Sequence, residues 1–454
     1  MPKELPKNWV ETDLLSISSV MTGKKDANFA TESGKYNFFT CAFKPLKSDS
    51  YSYEGDVLIL PGNGINVGEV FYYSGKFEAY QRTYIVSDIK IDSKYLFYHF
   101  KRFWREIGSS QQFGSATNYI KIGNFKNYQV QIPPLSEQER IVAKLDDLFA
   151  RLDKIKASLD KIPVLLKNFR QQVLTQAVTG KLTEEWRKQE GWNLGEWEEV
   201  SLIDLVLDKP RNGYSPKGVK FITQVKSLSL GATTSGTFDS TKIKYLDIDP
   251  PNKNSHLWLK TGDILIQRSN SLDYVGTSAI YTAEDNEFIY PDIMMKVRVN
   301  SKNLNIYVNY ALSTSASKVY FQNNASGTAG NMPKINQAIV SNIPINRPPL
   351  TEQKEIVNRV ESLFAKADAI QKKYEALKAK IEQLPQAILH KAFKGELVSQ
   401  LKSDGDARDL LKEIEELKKT ATKTKKPSKT TKIKKYKTST TKLSKAAEGE
   451  GKYK

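Results

Sequence analysis

Gln267-Arg268-Ser269-Asn270 directly follows a run of leucine and isoleucine at 264 to 266, so its side chains emerge where a strand ends. The Arg268 guanidinium can bond a guanine edge in a paired, bidentate fashion, and the Gln267 carboxamide can do the same to adenine. Asn63 and Asn66, in Asn63-Gly64-Ile65-Asn66, occupy the matching place after Gly55-Asp56-Val57-Leu58-Ile59. Similar hydrogen-bonding groups occur at Arg82 beside Tyr80, in the Arg211-Asn212-Gly213-Tyr214 loop, and in the pairs Asn118 with Lys121 and Asn331 with Lys334. A solvated turn would explain any one of them; as sets they are candidates for contact with DNA.

The parts of a catalyst are harder to find. There is no Walker A loop, no Gly-x-Gly-x-x-Gly opening a helix, and no Asn-Pro-Pro-Tyr or Asp-Pro-Pro-Tyr of an amino-methyltransferase. His99, His256 and His390 stand apart, and Cys41, the single cysteine, has no partner at ligand spacing, so no metal site is expected. A nuclease-like set, Pro291-Asp292 with Glu352-Gln353-Lys354, is rejected. Glu352 falls in the first turn of a helix, where a carboxylate complements the positive end of the dipole.

What positions these groups is a duplication. At an offset of 215, Pro133-Pro134-Leu135-Ser136-Glu137-Gln138 falls on Pro348-Pro349-Leu350-Thr351-Glu352-Gln353, and the match runs on without a gap to Gly180 and Gly395. In the first copy Ile141, Leu145, Leu148, Leu152, Ile155 and Leu159 alternate in steps of four and three. In the second, Ile356, Val360, Leu363, Ile370, Leu377 and Ile381 keep the same register. This is a heptad seam, and all twelve are expected in its core. Pro-Pro bars helix upstream, Ser136 with Glu139 makes a capping box, Thr351 caps the second helix, and the two glycines stop them. Pro163 and Pro385 should each kink their helix and free a carbonyl. A helix over 136 to 179 would span about 65 Å. If the segment between the repeats has its ends close together, the second helix runs back along the first and the pair is antiparallel.

Upstream of each helix lies a more divergent segment of short β-branched and aromatic runs broken by Gly, Asn and Pro, the pattern of a mixed globule. The fold class is therefore α+β: two mixed α/β domains separated by two long helices, then a charged tail. The segments are 1–134, the first helix 135–183, 184–349, the second helix 350–400, and 401–454.

Composition sets further limits. With 39% apolar and 26% charged residues the chain has material for real cores. No apolar run is long enough to span a membrane, and with neither a leader-like N-terminus nor a cysteine pair the cytoplasm is the expected location. The formal charge is +18, but residues 418 to 454 hold fourteen lysines against Glu448 and Glu450, a net +12, which leaves +6 for the rest. That tail has too few apolar residues to offset its ordering entropy and is expected to be disordered.

Taken together, the paired Pro-Pro-Leu-[Ser/Thr]-Glu-Gln motifs, the heptad helices ending in Gly180-Lys181-Leu182 and Gly395-Glu396-Leu397, and the doubled Gly-Asp-[Val/Ile]-Leu-Ile strands resemble the specificity subunit of type I restriction-modification systems. The resemblance covers about residues 1 to 400. It implies that 1–134 and 184–349 are target recognition domains, each reading half of a split duplex DNA site, and that the helices are conserved spacers docking two modification (methyltransferase) subunits. Restriction subunits would join them. S-adenosylmethionine, ATP and Mg would then sit on those partners, with no cofactor and no catalytic residue on this chain. The alternatives are a coiled-coil scaffold or adaptor without sequence-specific DNA binding, and an RNA-binding protein. Neither explains globules that diverge while their helices stay alike.

Overall fold

The structure, a computed structural model, describes residues 5–110, 118–327 and 332–423. It divides into two compact units, Met1–Ala157 with Lys378–Lys454, and Ser158–Leu377. The division runs through the spacer helices, so each unit owns the start of one helix and the end of the other.

The first unit is built on a six-stranded sheet. Its order is Ser19–Thr22, Thr83–Ser87, Tyr53–Pro61, Phe71–Ala79, Tyr36–Phe39, Leu46–Ser48, antiparallel throughout except that Tyr36–Phe39 runs parallel to Phe71–Ala79. Val57, Leu58, Ile59 and Leu60 are all fully buried. Leu58 and Leu60 point into a core shared with helix Ser93–Ser110, while Val57 and Ile59 meet Phe77 and Ile85 on the other face. A strand covered on both faces reads as a continuous apolar run, which is why the Gly-Asp-Val-Leu-Ile signature is legible.

In the second unit the corresponding strand, Ile264–Gln267, is central to a four-stranded sheet ordered Arg211–Asn212, Met294–Val297, Ile264–Gln267, Ser278–Ile280. A second sheet, Gly218–Val219, Ile243–Leu246, Val225–Leu228, has no counterpart in the first unit among the described residues. Each unit also carries a two-stranded ribbon leading into its Pro-Pro pair: Val10–Asp13 with Gln129–Ile132, and Glu198–Ser201 with Pro344–Arg347.

The helices differ from the sequence reading in three ways. First, the upstream one is two helices, Leu135–Leu159 and Ile162–Val178. Pro163 lies in the first turn of the second piece, where its missing N–H costs nothing. Pro385, in contrast, sits inside the unbroken helix Leu350–Ala392.

Second, both helices start one residue after Pro-Pro, with Glu137 N and Gln138 N donating to the Pro134 carbonyl and Gln353 N to that of Pro349. Ser136 is thus already inside the first turn, and its hydroxyl donates to Asp404 instead of closing a capping box with Glu139. The C-terminal stops are as expected: Gly180 and Gly395 have φ of 76° and 70°.

Third, only half of the heptad seam is core. Leu145, Leu152, Leu159, Leu166 and Val173 are buried at every seventh position of the first helix, as are Val360, Ala367, Tyr374 and Ile381 in the second. The other row begins buried, at Ile141 and Ile356, and is only partly covered at Leu148 and Leu363. It then turns out to solvent, with Ile155 at 46%, Ile370 at 50% and Leu377 at 45% exposed. These three are corrected from core to surface. In a centred two-stranded seam both rows would face the partner; here the row of Leu145 and Val360 is covered and most of the other is left in solvent.

Within each unit the helical segments pack antiparallel. In the first, Ile141 and Leu145 near the start of helix one share a core with Leu389 and Ala392 near the end of helix two. In the second, Val173, Leu174 and Ala177 meet Ile356, Val357 and Val360, and Arg170 pairs with Asp368 at 2.7 Å.

The charged stretch from 401 also departs from expectation at its beginning. Ala407–Lys423 is a helix whose Ala407 and Ile414 are buried in the core of the first unit. Ala407 N donates to the Asn8 carbonyl at 3.0 Å. The lysine-rich remainder, 424–454, lies outside the described residues.

Candidate nucleic-acid interface

The Glu-Gln pair of each repeat joins a globule to its helix. Gln138 and Gln353 are buried, and each accepts from the backbone N–H at the start of a globule helix, Asp92 at 3.0 Å and Leu304 at 2.8 Å. Each donates back to its own Pro carbonyl, Pro133 at 2.8 Å and Pro348 at 3.0 Å. Glu352, fully buried, accepts from Arg187, from Thr183 Oγ1 at 2.6 Å and from Trp197 Nε1 at 2.7 Å. Arg187 also donates to the Gly180 carbonyl, so the segment after helix one is tied to the start of helix two.

The first unit makes the reciprocal tie with different residues. Arg140 grips Asp404 through two bonds of 2.7 Å and the Ser399 carbonyl at 3.1 Å, and these bonds hold the Asp404 carboxyl down at about 2. These contacts hold each globule against its spacer helices, as positioned recognition requires.

At the far end of the central strand, the first unit gathers its sequence candidates. Gly62 N donates to the Arg82 carbonyl at 2.9 Å, Ile120 N to Gly62 at 3.0 Å, and Gly64 N to Asn118 at 2.8 Å. Asn63 forms a bridge with Tyr119, next to Lys121. Asn63, Asn66, Arg82, Asn118 and Lys121 therefore share one edge, although 58 positions separate the first from the last in sequence.

Their availability differs. The Asn66 amide is spent on the Cys41 carbonyl at 2.8 Å and shapes the loop, while Arg82, Asn118 and Lys121 are exposed. Two residues that sequence reasoning passed over join them. Lys24, exposed, lies against the turn at 79 to 81 through its N–H to the Ala79 carbonyl. Ile65, at the loop tip beside Gly64 with φ of 85°, is 97% exposed. The motif contained Ile65, and an isoleucine between two asparagines in a glycine turn was the available signal.

The second unit repeats the backbone arrangement. Ile335 N donates to the Arg268 carbonyl at 2.9 Å, as Ile120 does to Gly62, and Ser269 bridges Lys334, as Asn63 does Tyr119. Arg268 N and Gly213 N both bond the 293–294 segment, which brings the Arg211-Asn212-Gly213-Tyr214 loop alongside. Tyr214, 49% exposed, and Lys334 face solvent. Among the described residues Arg268 Nη1 reaches the Asp292 carbonyl alone, at 3.4 Å, and its Nε has no partner. Asn212 Oδ1 likewise has none.

Gln267 is a correction. It is fully buried; its amide donates to Thr233, Thr234 and the Leu230 carbonyl, and its oxygen accepts from Asn270 at 2.6 Å. It positions Asn270 and the 230–234 turn and has nothing left to offer a base. Asn331 lies outside the described residues.

Among the described residues no cluster of three or more His, Cys, Asp or Glu side chains is placed to hold a metal ion, and no helix is long and apolar enough to cross a membrane. Of the three histidines, His99 is buried between Tyr128 and Gln131, and burial pushes it down to about 4. It is a structural group.

Comparison with known proteins agrees with this architecture. The model of the type I restriction modification DNA specificity domain matches twice, over residues 6–163 and 195–379. The specificity subunit of the type I restriction enzyme EcoDI from Escherichia coli is 32% identical over 88% of this chain and 91% of its own length. That of EcoKI, from strain K12, is 34% identical over 65% of this chain and 63% of its own. Among solved structures, a chain from a study of type I R-M complex assembly and conformational transition superposes with a TM-score of 0.65 at 17% identity, covering 87% of this chain and all of that one. The HsdS subunit of Thermoanaerobacter tengcongensis gives 0.53 at 17% identity, over 87% of this chain and 99% of that one. At that identity the structures speak to the fold. The doubled family match, each copy holding one globule and the start of one spacer helix, and the near full-length relative together establish that the chain belongs to the family of type I restriction-modification DNA specificity subunits.

Proposed function

We propose that the two units read the two halves of a split duplex DNA site, and that the chain does so as the non-catalytic member of a complex with two modification subunits and restriction subunits. The observation that carries this is the repeated strand end. In both units the same backbone arrangement presents solvent-facing polar groups, yet the groups differ: Arg82, Asn118 and Lys121 in one, Tyr214 and Lys334 in the other, with the half-buried Arg268 and Asn270 beside them. A constant frame with different donors suits two different base sequences.

The outward apolar row supports the partner assignment. Ile155 and Leu384 in the first unit, and Phe169, Ile370 and Leu377 in the second, recur at heptad spacing on duplicated helices and lie in solvent. Apolar side chains in such a row favour burial by another protein, and two copies of one row suit two copies of one partner. S-adenosylmethionine, ATP and Mg would be bound by those partners, and the complex would work in the cytoplasm.

The test is an exchange of residues 1–134 for the same region of a related chain, followed by methylation mapping in cells that carry the modification subunit. One half of the methylated motif should change and the other stay. A change in both halves, or in neither, overturns the assignment of one reader to each unit.

A further inference from the structure

In the second unit a cavity of about 510 Å³ opens beside the edge strand Arg211–Asn212. Six cationic side chains line it: Lys209, Arg211, Lys253, Lys260, Lys296 and Arg298. Among the described residues Asp208 is the one carboxylate on its wall, and Asp263 stands behind, gripping Arg298 through two bonds of 2.7 Å. Lys209, Arg211, Lys253 and Lys260 are exposed and make no ion pair among the described residues.

Lys296 forms the fixed part of this site. It is 8% exposed, and its ammonium donates to the Trp258 carbonyl at 2.9 Å and to that of His256. An ammonium has three N–H donors, so one remains beyond these two. Burial pushes Lys296 down to about 8, Asp263 opposes the shift, and Arg298 and Arg211 add to it, so the group is still charged at neutral pH. Packing these charges together costs energy through mutual repulsion, and an anion in the cavity would relieve it. The cavity also adjoins the reader. Arg211 pairs with Lys296 in register, its carbonyl accepts from Tyr290 Oη at 3.1 Å, and two residues later Gly213 N bonds Met294 beside Arg268.

We infer that this cavity is a phosphate site, occupied by a backbone phosphate of the DNA strand that flanks the half-site read by the second unit. The assignment rests on the function proposed above and deepens it: phosphate contacts fix register and add affinity, and leave base choice to the Arg268 cluster. A free pyrophosphate or nucleotide offers the same chemistry, so the experiment must separate the two sources.

The test uses the full complex with its modification subunits and the variant Lys253→Gln/Lys260→Gln. Both side chains are exposed, so the fold is left intact. DNA affinity is measured across about 50 to 200 mM salt, where each lost phosphate contact lowers the log–log slope by about 0.9. The expected result is a slope shallower by up to about 0.9, one phosphate contact, with an unchanged methylated motif. Uncharged methylphosphonate linkages beside the second half-site should weaken the wild type more than the variant, which keeps Lys296 and Arg298 in the cavity. A variant with the wild-type slope overturns the inference. If that slope is unchanged while the variant loses binding of pyrophosphate, the occupant is a free phosphate compound and the DNA assignment falls. A wild-type complex that fails to bind DNA at any salt defeats the proposed function instead. Retained pyrophosphate protection of Lys253 and Lys260 from acylation would then identify the cavity as a phosphate site without DNA, and loss of that protection would reject it altogether.

Discussion

Glu352→Ala isolates the junction that holds the second reader to its helix. The wild-type carboxylate is fully buried and accepts from Arg187, Thr183 and Trp197. Its removal takes the acceptor from Thr183 Oγ1 and Trp197 Nε1 and leaves Arg187, itself 5% exposed and still bonded only to the neutral oxygens of Thr183 and Gly180, as an uncompensated buried charge. Breaking a buried ion pair from one side costs about 3–5 kcal/mol, a large fraction of the roughly 5–15 kcal/mol that holds a domain folded. The matched change in the first unit, Glu137→Ala, removes a carboxylate that faces the neutral side chains of Trp9 and Asn8, the latter at 3.2 Å, and strands no buried cation among the described residues. Its cost should be about 1–3 kcal/mol. Hydrogen exchange resolved by peptide reads both units in one protein. Glu352→Ala should raise exchange across 184–349 and leave 5–110 protected. The double change Arg187→Met/Glu352→Leu should recover most of the loss, because replacing both partners of a buried pair by apolar groups is often neutral. Equal effects from the two single alanine variants, or no recovery in the double one, would refute the reasoning.

Further outcomes follow from other parts of the structure. His99 has a folded pKa of about 4, below its ordinary 6.5, so its neutral form is the one that fits. Stability of the first unit is therefore full above pH 6.5 and falls towards pH 4 by roughly 3 kcal/mol, at 1.36 kcal/mol per pH unit; denaturant titrations of His99→Gln across this range should lack that slope, and a slope equal to wild type would count against it. Ile65→Ser, at a 97% exposed site, should leave stability within about 0.5 kcal/mol and relax base preference at one position of the first half-site, without altering the salt dependence of binding; an unchanged motif removes Ile65 from the interface. Ile370→Ser/Leu377→Ser should likewise leave melting unchanged while weakening capture of the modification subunit at least tenfold by surface plasmon resonance, whereas Ile381→Ala, in the buried row, should cost about 2–5 kcal/mol of stability. Wild-type capture by the exposed-row variant would show that this row is not the docking surface.

The duplication, the doubly covered central strands and the glycine stops could be read from the chain because each leaves a local pattern: an offset, an apolar run, a residue type. What could not be read depends on distant partners. Gln267 has the side chain of a base reader, but Thr233 and Thr234, more than thirty residues earlier, consume its amide. Heptad spacing identifies two rows and is silent on which one a second helix covers, so Ile155, Ile370 and Leu377 were indistinguishable from Leu152, Ala367 and Ile381 until the packing was known. Pro163 and Pro385 are the same residue in similar apolar periods, yet one starts a helix and the other lies within one. The cations of the second unit's cavity are scattered from 209 to 298 and converge only in the folded chain, where strand pairing sets Arg211 beside Lys296. Helix Ala407–Lys423 was absorbed into the charge of the tail, although Ala407, Leu410, Leu411 and Ile414 mark its buried face.

The central claim is one reader per unit, and methylation sequencing of a genome modified by the complex tests it most directly. Wild type should methylate a motif of two short specified halves around an unread gap. Arg82→Ala with Asn63→Ala should degrade or alter one half alone, and Arg268→Ala with Lys334→Ala the other half alone. A single uninterrupted motif, or variants of either unit that disturb both halves together, would contradict the account.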